Sequence, residues 1–327
     1  MYNYSNTTMK TICIVLLAGV LFVPSVFAQR PDVQPFLPGI IGQFPNVRDI
    51  AISPNRNEVY FTAQSMQGDL SAIFRINLID NEWTDPELVD FSGKYMDLEP
   101  SFSPDGLRLY FASNRPLTQN NSSAKDYDIW YVERKLIFDA WSAPVNVGAP
   151  INSAENEFYP SVSKYKTIFF TSDRKGSQGK DDIFFSENIN GHYDTPLSMP
   201  DSVNSPGYEF NAFISPDETF VVYTCYNRPG GLGSGDLCIS FNKGGGKWTA
   251  PFFLGPDVNS PQMDYCPYVD TEKGVLYFTS KRSTIDKQVK PFTTKQFMHQ
   301  LLRYDNGLSR LYMVDIKDWI KNVVKKD

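Results

Sequence analysis

Residues 101–144 read Ser-Phe-Ser-Pro-Asp-Gly (101–106), Leu-Tyr-Phe-Ala-Ser-Asn-Arg (109–115), Asp-Ile-Trp-Tyr-Val (128–132) and Trp-Ser-Ala-Pro (141–144), with polar loops between these motifs. Pro-Asp-Gly presets a tight turn, because Pro fixes φ, Asp accepts a local hydrogen bond and Gly permits positive φ. Aromatic and β-branched runs are typical of short strands, and Pro suits an outer strand whose N–H faces solvent. The segment therefore predicts four short antiparallel strands joined by turns.

The aromatic motif at 110–115 recurs along the chain and defines a repeat. Its copies begin at Tyr60, Tyr110, Phe169, Tyr223 and Tyr277, so their starts are separated by 50, 59, 54 and 54 residues. Four antiparallel strands in each repeat of this length are the pattern of a propeller blade. We predict an all-β fold, a single β-propeller with five four-stranded blades, and keep six blades as the alternative.

The fifth repeat lacks a recognisable outer strand, and the N-terminal part of the chain can supply it. In repeats two to four the outer-strand Pro lies 13 residues before the acidic residue of the next repeat, and Pro35 lies 12 residues before Val47, the corresponding position of repeat one. The segment Asp32–Pro38 is therefore predicted to close the ring, which removes the exposed edges of an open array. The predicted propeller domain covers residues 29–318, followed by a C-terminal tail at 319–327.

Residues 1–28 are predicted to be a signal peptide. Lys10 precedes an apolar run from Ile12 to Val23, and the small-residue rule places cleavage after Ala28. The run is too short for a permanent membrane anchor, and no later segment is apolar enough to span a bilayer. We expect a periplasmic or secreted protein.

The charge of the chain argues against nucleic acid as a partner. Lys and Arg total 31 against 37 Asp and Glu, which gives a net charge of −6. Proteins that grip phosphates concentrate basic residues on one face, and the sequence contains no such concentration.

Two columns of charged residues recur in repeats two to five, one acidic and one an Arg that follows the aromatic motif. The pairs are Asp97 with Arg115, Glu157 with Arg174, Glu209 with Arg228, and Asp264 with Arg282. Repeat one has Val47 and Ser65 at these positions and so lacks both charges together. That joint loss favours structural ion pairs that clamp blade to blade, because a buried charge without its partner is costly.

A third column, two residues after the acidic one, differs in every repeat. Its members are Asp49, Glu99, Tyr159, Asn211 and Cys266. The position begins the innermost strand, which lines the central channel of a propeller. We predict a polar ligand-binding pocket at one mouth of the channel; ordinary loop variation is the competing interpretation.

Catalytic chemistry has few candidate residues in this sequence. A nucleophilic triad needs an oriented His, and neither His192 nor His299 has an evident partner. A zinc site built on clustered His is equally unsupported, so we predict no metal and no cofactor. Asp49 and Glu99 are candidates for the carboxylate pair of a glycosidase.

Two other features leave alternatives open. Cys225 and Cys238 fall on neighbouring predicted strands, where they form either a disulfide or two buried thiols. The insertion at 283–306 contains apolar residues at helical spacing from 294 to 302. This helix either packs on the ring or docks a partner.

The motifs between 101 and 144 resemble the WD40-like Pro-Asp repeats of TolB-like propellers. Repeats three and five depart from the pattern by lacking Pro-Asp-Gly, and repeat one by lacking the Arg. The resemblance implies a scaffold for protein–protein contacts in the cell envelope and transfers no catalytic residue. We therefore predict a non-enzymatic binding module with an envelope or secreted protein partner, and with a small ligand or glycan as a further ligand class. The alternative is a carbohydrate-active hydrolase or lyase that uses acidic residues of the central channel.

Overall fold

Each predicted repeat folds into one antiparallel sheet, and five such sheets are arranged in a ring. The computed structural model of the chain describes residues 1, 32–118, 125–285 and 291–317. Apart from Met1, the predicted signal peptide lies outside the described residues, as does the C-terminal tail. Neither helix in the described part of the chain is long and apolar enough to cross a bilayer.

The described part of the chain contains many short strands and two helices. The helices are α1 (Pro38–Ile41) and α2 (Thr294–Leu301). In chain order the strands are β1 (Gln34–Pro35), β2 (Asn46–Ile52), β3 (Glu58–Gln64), β4 (Ser71–Ile79), β5 (Glu82–Trp83), β6 (Glu87–Leu88), β7 (Asp97–Phe102), β8 (Arg108–Ser113), β9 (Asp128–Glu133), β10 (Val145–Asn146), β11 (Glu157–Val162), β12 (Ile168–Ser172), β13 (Asp182–Ser186), β14 (Asn188–Ile189), β15 (His192–Tyr193), β16 (Leu197–Ser198), β17 (Tyr208–Ile214), β18 (Phe220–Tyr226), β19 (Gly235–Gly244), β20 (Lys247–Trp248), β21 (Phe252–Phe253), β22 (Asp264–Asp270), β23 (Val275–Ser280) and β24 (Arg310–Asp315).

Each blade runs from an inner to an outer strand by antiparallel pairing. Blade one is β2-β3-β4-β6, blade two β7-β8-β9-β10, blade three β11-β12-β13-β16, blade four β17-β18-β19-β21, and blade five β22-β23-β24-β1. The innermost strands contact one another in the cyclic order β2, β7, β11, β17, β22 and back to β2. The predicted ring of five blades is confirmed.

The N-terminal segment completes the fifth blade, as the spacing of the outer-strand prolines predicts. In β1, Gln34 pairs with Met313 and Pro35 pairs with Tyr312 of β24. The Phe36 N–H continues this ladder by donating to the Leu311 carbonyl oxygen (2.9 Å). The prediction that the ring is closed by an N-terminal strand is therefore confirmed.

The hydrophobic core is divided into layers between neighbouring blades. Between blades one and two, for example, Tyr60, Phe111 and Trp130 share one buried cluster. Between blades four and five, Phe278 packs with Val222 in another. Because burying a Phe side chain contributes roughly 1.5–3 kcal/mol, the aromatic second strand of each repeat is a main source of cohesion between blades.

The register of blade four differs from the sequence alignment by one residue. The alignment places Tyr223 level with Tyr110, whereas the structure pairs Val222 with Phe213 of the inner strand as it pairs Tyr110 with Ser101 in blade two. The extra residue lies at Asn227, which has a left-handed φ of 49°. An additional residue in the turn shifts the motif without changing the blade.

The outer strands begin later than the sequence indicated. In blades one, three and four the motif aromatic belongs to a small hairpin: Trp83 lies in β5, Tyr193 in β15 and Trp248 in β20. The outer strand that completes the blade starts after the Pro, as β6, β16 or β21.

The apolar side chains of the insertion helix are about half exposed. The helix α2 ends at Leu301, one residue earlier than the apolar spacing indicated, and none of its residues is buried. Phe297, Met298 and Leu301 remain about half exposed (52%, 46% and 50%). A capping box, Thr293 with Gln296, satisfies its first turn. The apolar face is covered only in part, and the docking of a partner on it stays a prediction.

Candidate active site

The five residues of the variable column all stand at a bulge of an innermost strand. The ladder shifts register at each of them, between Arg48 and Ile50 in blade one and at the corresponding place in the other blades. Asp49, Glu99, Tyr159, Asn211 and Cys266 have left-handed φ values of 56°, 60°, 48°, 53° and 52°. Such backbone is uncommon for residues other than glycine and concentrates at functional sites.

Four side chains of this column and the backbone N–H of Tyr159 form one hydrogen-bonded cluster at the axis of the ring, where all five residues are buried. Glu99 Oε1 accepts from Asn211 Nδ2 (3.1 Å), and Asn211 Oδ1 accepts from Cys266 Sγ (3.3 Å). Glu99 Oε2 accepts from the Tyr159 N–H (2.7 Å), and the Glu99 N–H donates to Asp49 Oδ2 (3.1 Å). The structure thus brings together residues that lie as far as 217 positions apart, from 49 to 266.

Arg48 is the centre of this cluster, and the sequence reasoning missed it. Its Nε donates to Asp49 Oδ1 (2.8 Å), and its Nη2 donates to Glu99 Oε1 (2.6 Å) and Cys266 Sγ (3.4 Å). The sequence does contain one signal for Arg48. It is the only charged residue at its position of the repeat, because the equivalent residues of the other blades are apolar or aromatic: Leu98, Phe158, Phe210 and Tyr265.

The same cluster contains a set of potential metal ligands. One ligand atom from each of Asp49, Glu99 and Cys266 lies within 4.8 Å of the others. Arg48 donates a hydrogen bond to each of these residues and supplies the cation of the cluster. A metal ion would have to displace this guanidinium, so the donor set is better explained by Arg48 and we assign no metal to it.

Glu99 has an unusual protonation equilibrium. Its side chain is 3% exposed, and burial raises the pKa of its carboxyl to about 7, against the opposing effect of Arg48 and with further help from Asp49. A carboxylic acid with a pKa near 7 can hold a proton at neutral pH and donate it.

A pocket of about 210 Å³ lies over this cluster at one mouth of the channel. It is lined by Glu99 and Asn211 of the variable column and by the whole neighbouring column, namely Arg48, Leu98, Phe158, Phe210 and Tyr265. The Arg48 guanidinium stacks 5.3 Å from the centre of the Tyr265 ring. The pocket therefore combines flat aromatic walls with a charged floor.

A second acidic residue, Asp181, also lines this pocket. Burial raises its pKa, and the neighbouring charges of Asp173 and Asp182 add to the effect. Asp49, by contrast, is fully buried, is bound to Arg48 and does not line the pocket. The sequence reasoning paired Asp49 with Glu99, whereas the pair that faces the pocket is Glu99 with Asp181.

Threonine hydroxyls link the bulges to the preceding blades. The N–H groups of Asp49, Glu99 and Asn211 donate to Oγ1 of Thr279, Thr62 and Thr171, each at 3.1 Å. Blade two has Ala112 at this position, and there the Tyr159 N–H donates to the Glu99 carboxylate instead. The missing hydroxyl of Ala112 thus explains the orientation of Glu99.

The four acidic–Arg pairs form away from the pocket, and each lies within one blade. Their N–O distances are 2.6 Å for Asp97–Arg115, 2.9 Å for Glu157–Arg174, 3.4 Å for Glu209–Arg228 and 3.0 Å for Asp264–Arg282. Each Arg also donates to a carbonyl of the crossover from the preceding blade, such as Phe91 for Arg115 (3.0 Å). The predicted clamp between blades therefore acts through the crossover loop, and the ion pair itself is internal to one blade.

The two cysteines of blade four are free thiols in the structure, and both are buried. Cys225 lies opposite Asp236, and Cys238 lies opposite Tyr223, so the two are diagonal neighbours on adjacent strands. Burial raises the pKa of Cys238 well above its ordinary value, with Cys225 adding to the effect. A thiol held in its protonated form is a poor nucleophile.

The fold and the axial site together define a five-bladed propeller with an acid-floored pocket at one end of its channel. No protein-family model matches the chain, and no curated protein matches it. Its assignment to the WD40-like Pro-Asp repeats therefore stays a prediction.

Solved structures that are similar to the chain include α-L-arabinofuranosidases and TolB. The chain is similar to the catalytic domain of the GH62 α-L-arabinofuranosidase from Coprinopsis cinerea, with a TM-score of 0.53, 11% identity, and coverage of 87% of this chain and 96% of that one. It is also similar to the α-L-arabinofuranosidase from Lactobacillus brevis (TM-score 0.48, 13% identity, coverage 83% and 93%). TolB from Acinetobacter baumannii gives a TM-score of 0.44 at 15% identity, over 82% of this chain and 54% of that one, so the chain spans about half the length of TolB.

These comparisons correct the functional prediction. The expectation of a non-enzymatic scaffold rested on a repeat pattern that implied TolB-like propellers and no enzyme. The chain matches the glycoside hydrolase catalytic domain over nearly the whole length of both chains, so this ring is not particular to scaffolds. The prediction of a non-enzymatic scaffold is therefore not supported. The accompanying expectation that the protein is not an enzyme is not supported either.

Proposed function

We propose that the protein is a glycoside hydrolase that acts at the axial pocket. The observation that carries the proposal is Glu99, a buried carboxyl with a pKa of about 7 on the floor of a pocket with aromatic walls. Glycosidases use one carboxylic acid to protonate the leaving oxygen and a second carboxylate to activate water or attack the sugar. The flat apolar faces of sugar rings suit walls made of aromatic side chains.

In this mechanism Glu99 is the general acid and Asp181 is the general base. The Glu99 proton passes to the glycosidic oxygen as its bond to the anomeric carbon breaks. Asp181 takes a proton from the water molecule that forms the new bond at that carbon. The products are a free sugar and a free hydroxyl, and no other reactant is needed.

Arg48 and Asp49 are positioning residues for the acid. Arg48 fixes Glu99 Oε1 at 2.6 Å, and Asp49 binds both the Arg48 Nε and the Glu99 N–H. Asp49 also helps to raise the Glu99 pKa. This arrangement holds the acid in one place, while burial and Asp49 raise its pKa against the opposing effect of Arg48.

Support from the comparisons is limited to the fold. The matching catalytic domain is described as an α-L-arabinofuranosidase, and this suggests α-L-arabinofuranosides as the first substrates to test. The two carboxyls assigned here come from the geometry of this chain alone.

Hydrolysis of 4-nitrophenyl glycosides, beginning with the α-L-arabinofuranoside, tests the proposal. We expect Glu99→Gln and Asp181→Asn to lower kcat/KM by about 100-fold or more, because each removes a proton-transfer group. Glu133→Gln is the matched control, because Glu133 is 48% exposed in a surface ion pair with Arg108. Wild-type kcat/KM should fall above about pH 7 as Glu99 loses its proton. If the wild-type protein hydrolyses no glycoside in a panel of pyranosides, furanosides and plant polysaccharides, the proposal fails.

We also propose that this hydrolase is exported. The support is the sequence pattern of residues 10–28, which has a Lys, an apolar run and a small-residue cleavage site. N-terminal sequencing of the protein recovered from its native host should begin at Gln29. A chain that retains residues 10–28 in the cytosolic fraction would contradict export.

A further inference from the structure

One end of the Arg48 guanidinium has no acceptor in the protein. Its Nε and Nη2 form one edge of the group, and that edge is occupied by Asp49 (2.8 Å), Glu99 (2.6 Å) and Cys266 (3.4 Å). Nη1, at the other end, carries two N–H donors and has no hydrogen-bond partner among the described residues. It is not one of their unpartnered polar atoms that are cut off from solvent, so Nη1 retains accessible surface.

The accessible surface of Arg48 belongs to the axial pocket. The side chain is 19% exposed, and the cavity that it lines is this pocket. The Tyr265 ring packs 5.3 Å from the guanidinium, and the Tyr265 hydroxyl is hydrogen-bonded to Ser309 Oγ (2.7 Å). Together with Asp49 and Glu99, this ring holds Arg48 in one position. Nη1 is therefore a preorganised donor at the surface of the pocket.

The axial pocket ends blindly at the buried cluster. The buried variable column fills the axis of the ring beneath it. The volume of about 210 Å³ equals about seven water molecules at roughly 30 Å³ each, which suits one sugar ring and not two. Each blade contributes one residue to the wall: Arg48, Leu98, Phe158, Phe210 and Tyr265.

The charges around the pocket favour a neutral sugar. The Arg48 cation is offset by Asp49 at 2.8 Å, and Asp181 is a second acidic residue of the site. With Glu99 in its acid form, one cation stands against two carboxylates, which leaves one net negative charge. A uronic acid would bring a further carboxylate beside Asp181, and like charges brought together are costly. The hydroxyls of a neutral sugar accept from Nη1 without this repulsion.

We propose that the protein removes single neutral sugars from the ends of glycan chains and recognises each of them through the Nη1 end of Arg48. Nη1 donates to a hydroxyl oxygen of the terminal sugar, beside Glu99. An internal sugar would need room for the chain on both sides, and a blind pocket has one entrance. The inference rests on the proposed function, which supplies the ligand class, and it adds the position of the sugar in the chain and the group that recognises it.

Deoxy analogues of 4-nitrophenyl α-L-arabinofuranoside, or of the panel glycoside that is hydrolysed fastest, test the role of Arg48. In wild type, removing the hydroxyl that accepts from Nη1 should lower kcat/KM about 10- to 100-fold, because a charged donor loses its acceptor. In Arg48→Lys the same analogue should differ from its parent by less than about threefold, because the lysine ammonium reaches only the Cζ position. Displacement of Glu99 would slow both substrates alike, so this ratio separates recognition from positioning.

Arg108→Lys is the matched control, because Arg108 is 45% exposed in a surface ion pair. It should keep the wild-type ratio between analogue and parent. The role of Arg48 is overturned if no monodeoxy analogue is impaired in wild type, or if Arg48→Lys retains the full discrimination.

The products from a linear arabino-oligosaccharide test the position of the scissile bond. We expect free arabinose and a chain shorter by one residue from the first turnover. A 4-nitrophenyl glucuronide should react at least about tenfold more slowly than the glucoside. Early release of oligosaccharides, or equal rates for glucuronide and glucoside, would overturn the inference and leave the hydrolase standing.

Calorimetric titration of wild type with L-arabinose, D-xylose, D-galactose and D-galacturonate needs neither turnover nor a variant that folds. We expect one neutral sugar to bind at a single site, and galacturonate to bind more weakly than D-galactose. Such binding without hydrolysis of any glycoside would refute the proposed hydrolase and support the sugar site. Tighter binding of galacturonate than of every neutral sugar would overturn the inference, and the absence of both binding and hydrolysis would overturn both proposals.

Discussion

Replacing Glu99 with glutamine should remove a specific part of the pH dependence of stability. The Glu99 pKa rises from 4.5 to about 7 on folding, chiefly through burial. A carboxyl whose folded pKa is raised contributes stability that is fully present below pH 4.5 and is lost as the pH rises through 7. The gap between the two values corresponds to roughly 3 kcal/mol, most of which is lost between pH 5 and pH 8.

Urea unfolding of wild type and Glu99→Gln at half-unit steps from pH 5 to pH 8 measures this contribution. The free energy of unfolding of wild type should fall, relative to the variant, by roughly 2–3 kcal/mol across this range. Contributions from titrating groups that do not interact with Glu99 cancel in the difference between the two proteins. Glu133→Gln, at an exposed position, should show no such difference. A flat difference curve for Glu99→Gln would refute the raised pKa and with it the assignment of Glu99 as an acid at neutral pH.

Three further predictions concern the interior of the ring. Thr171→Val should lower the free energy of unfolding by about 1–3 kcal/mol, because the buried Asn211 N–H loses its acceptor. Thr224→Val should be nearly neutral, because the Thr224 hydroxyl has no partner. Urea unfolding measures both variants, and equal losses would contradict the argument. Arg282→Met should lower the free energy of unfolding by about 3–5 kcal/mol, because it leaves the buried Asp264 unpaired. Burial raises the pKa of Asp264, so this loss should shrink as the pH falls and Asp264 becomes protonated. A loss of stability that is independent of pH would count against an ion pair. Cys238 should resist iodoacetamide in the folded protein at pH 8 and react in 8 M urea, as peptide mass spectrometry would show; rapid labelling of folded protein would contradict its burial.

The sequence predicts the blades well because their signals are local. Turn residues, an aromatic strand and an outer-strand Pro recur in each repeat, and each depends only on neighbours in the chain. The spacing of Pro35 even identifies the strand that closes the ring. The sequence alignment of blade four is wrong by one residue. The extra residue at Asn227 lies inside the motif Tyr223 to Arg228, so the motif still matches the other repeats although its strand pairs one residue earlier.

The axial site is only partly predictable, for a geometric reason. The repeat alignment identifies the variable column. It does not predict the left-handed backbone of residues such as Glu99 and Tyr159, because these residue types do not favour that conformation. Arg48 was missed because its significance depends on Asp49, Glu99 and Cys266 meeting it across the ring. The pairing of Asp181 with Glu99 required the pocket itself.

The strand β1 has a consequence for the order in which the molecule assembles. Gln34 and its partner Met313 are 279 residues apart in the chain, and closing a loop of that length costs about 5 kcal/mol of chain entropy. Blades one to four each draw their strands from a continuous stretch and can form while the ribosome is still at work. The fifth must wait for residues 310–315, which form β24. Until β1 of the same copy pairs with it, the edge of β24 is open to capture by the N-terminal strand of another copy. Dimers formed by such strand exchange should therefore appear during refolding at high protein concentration, and they should be joined at this seam.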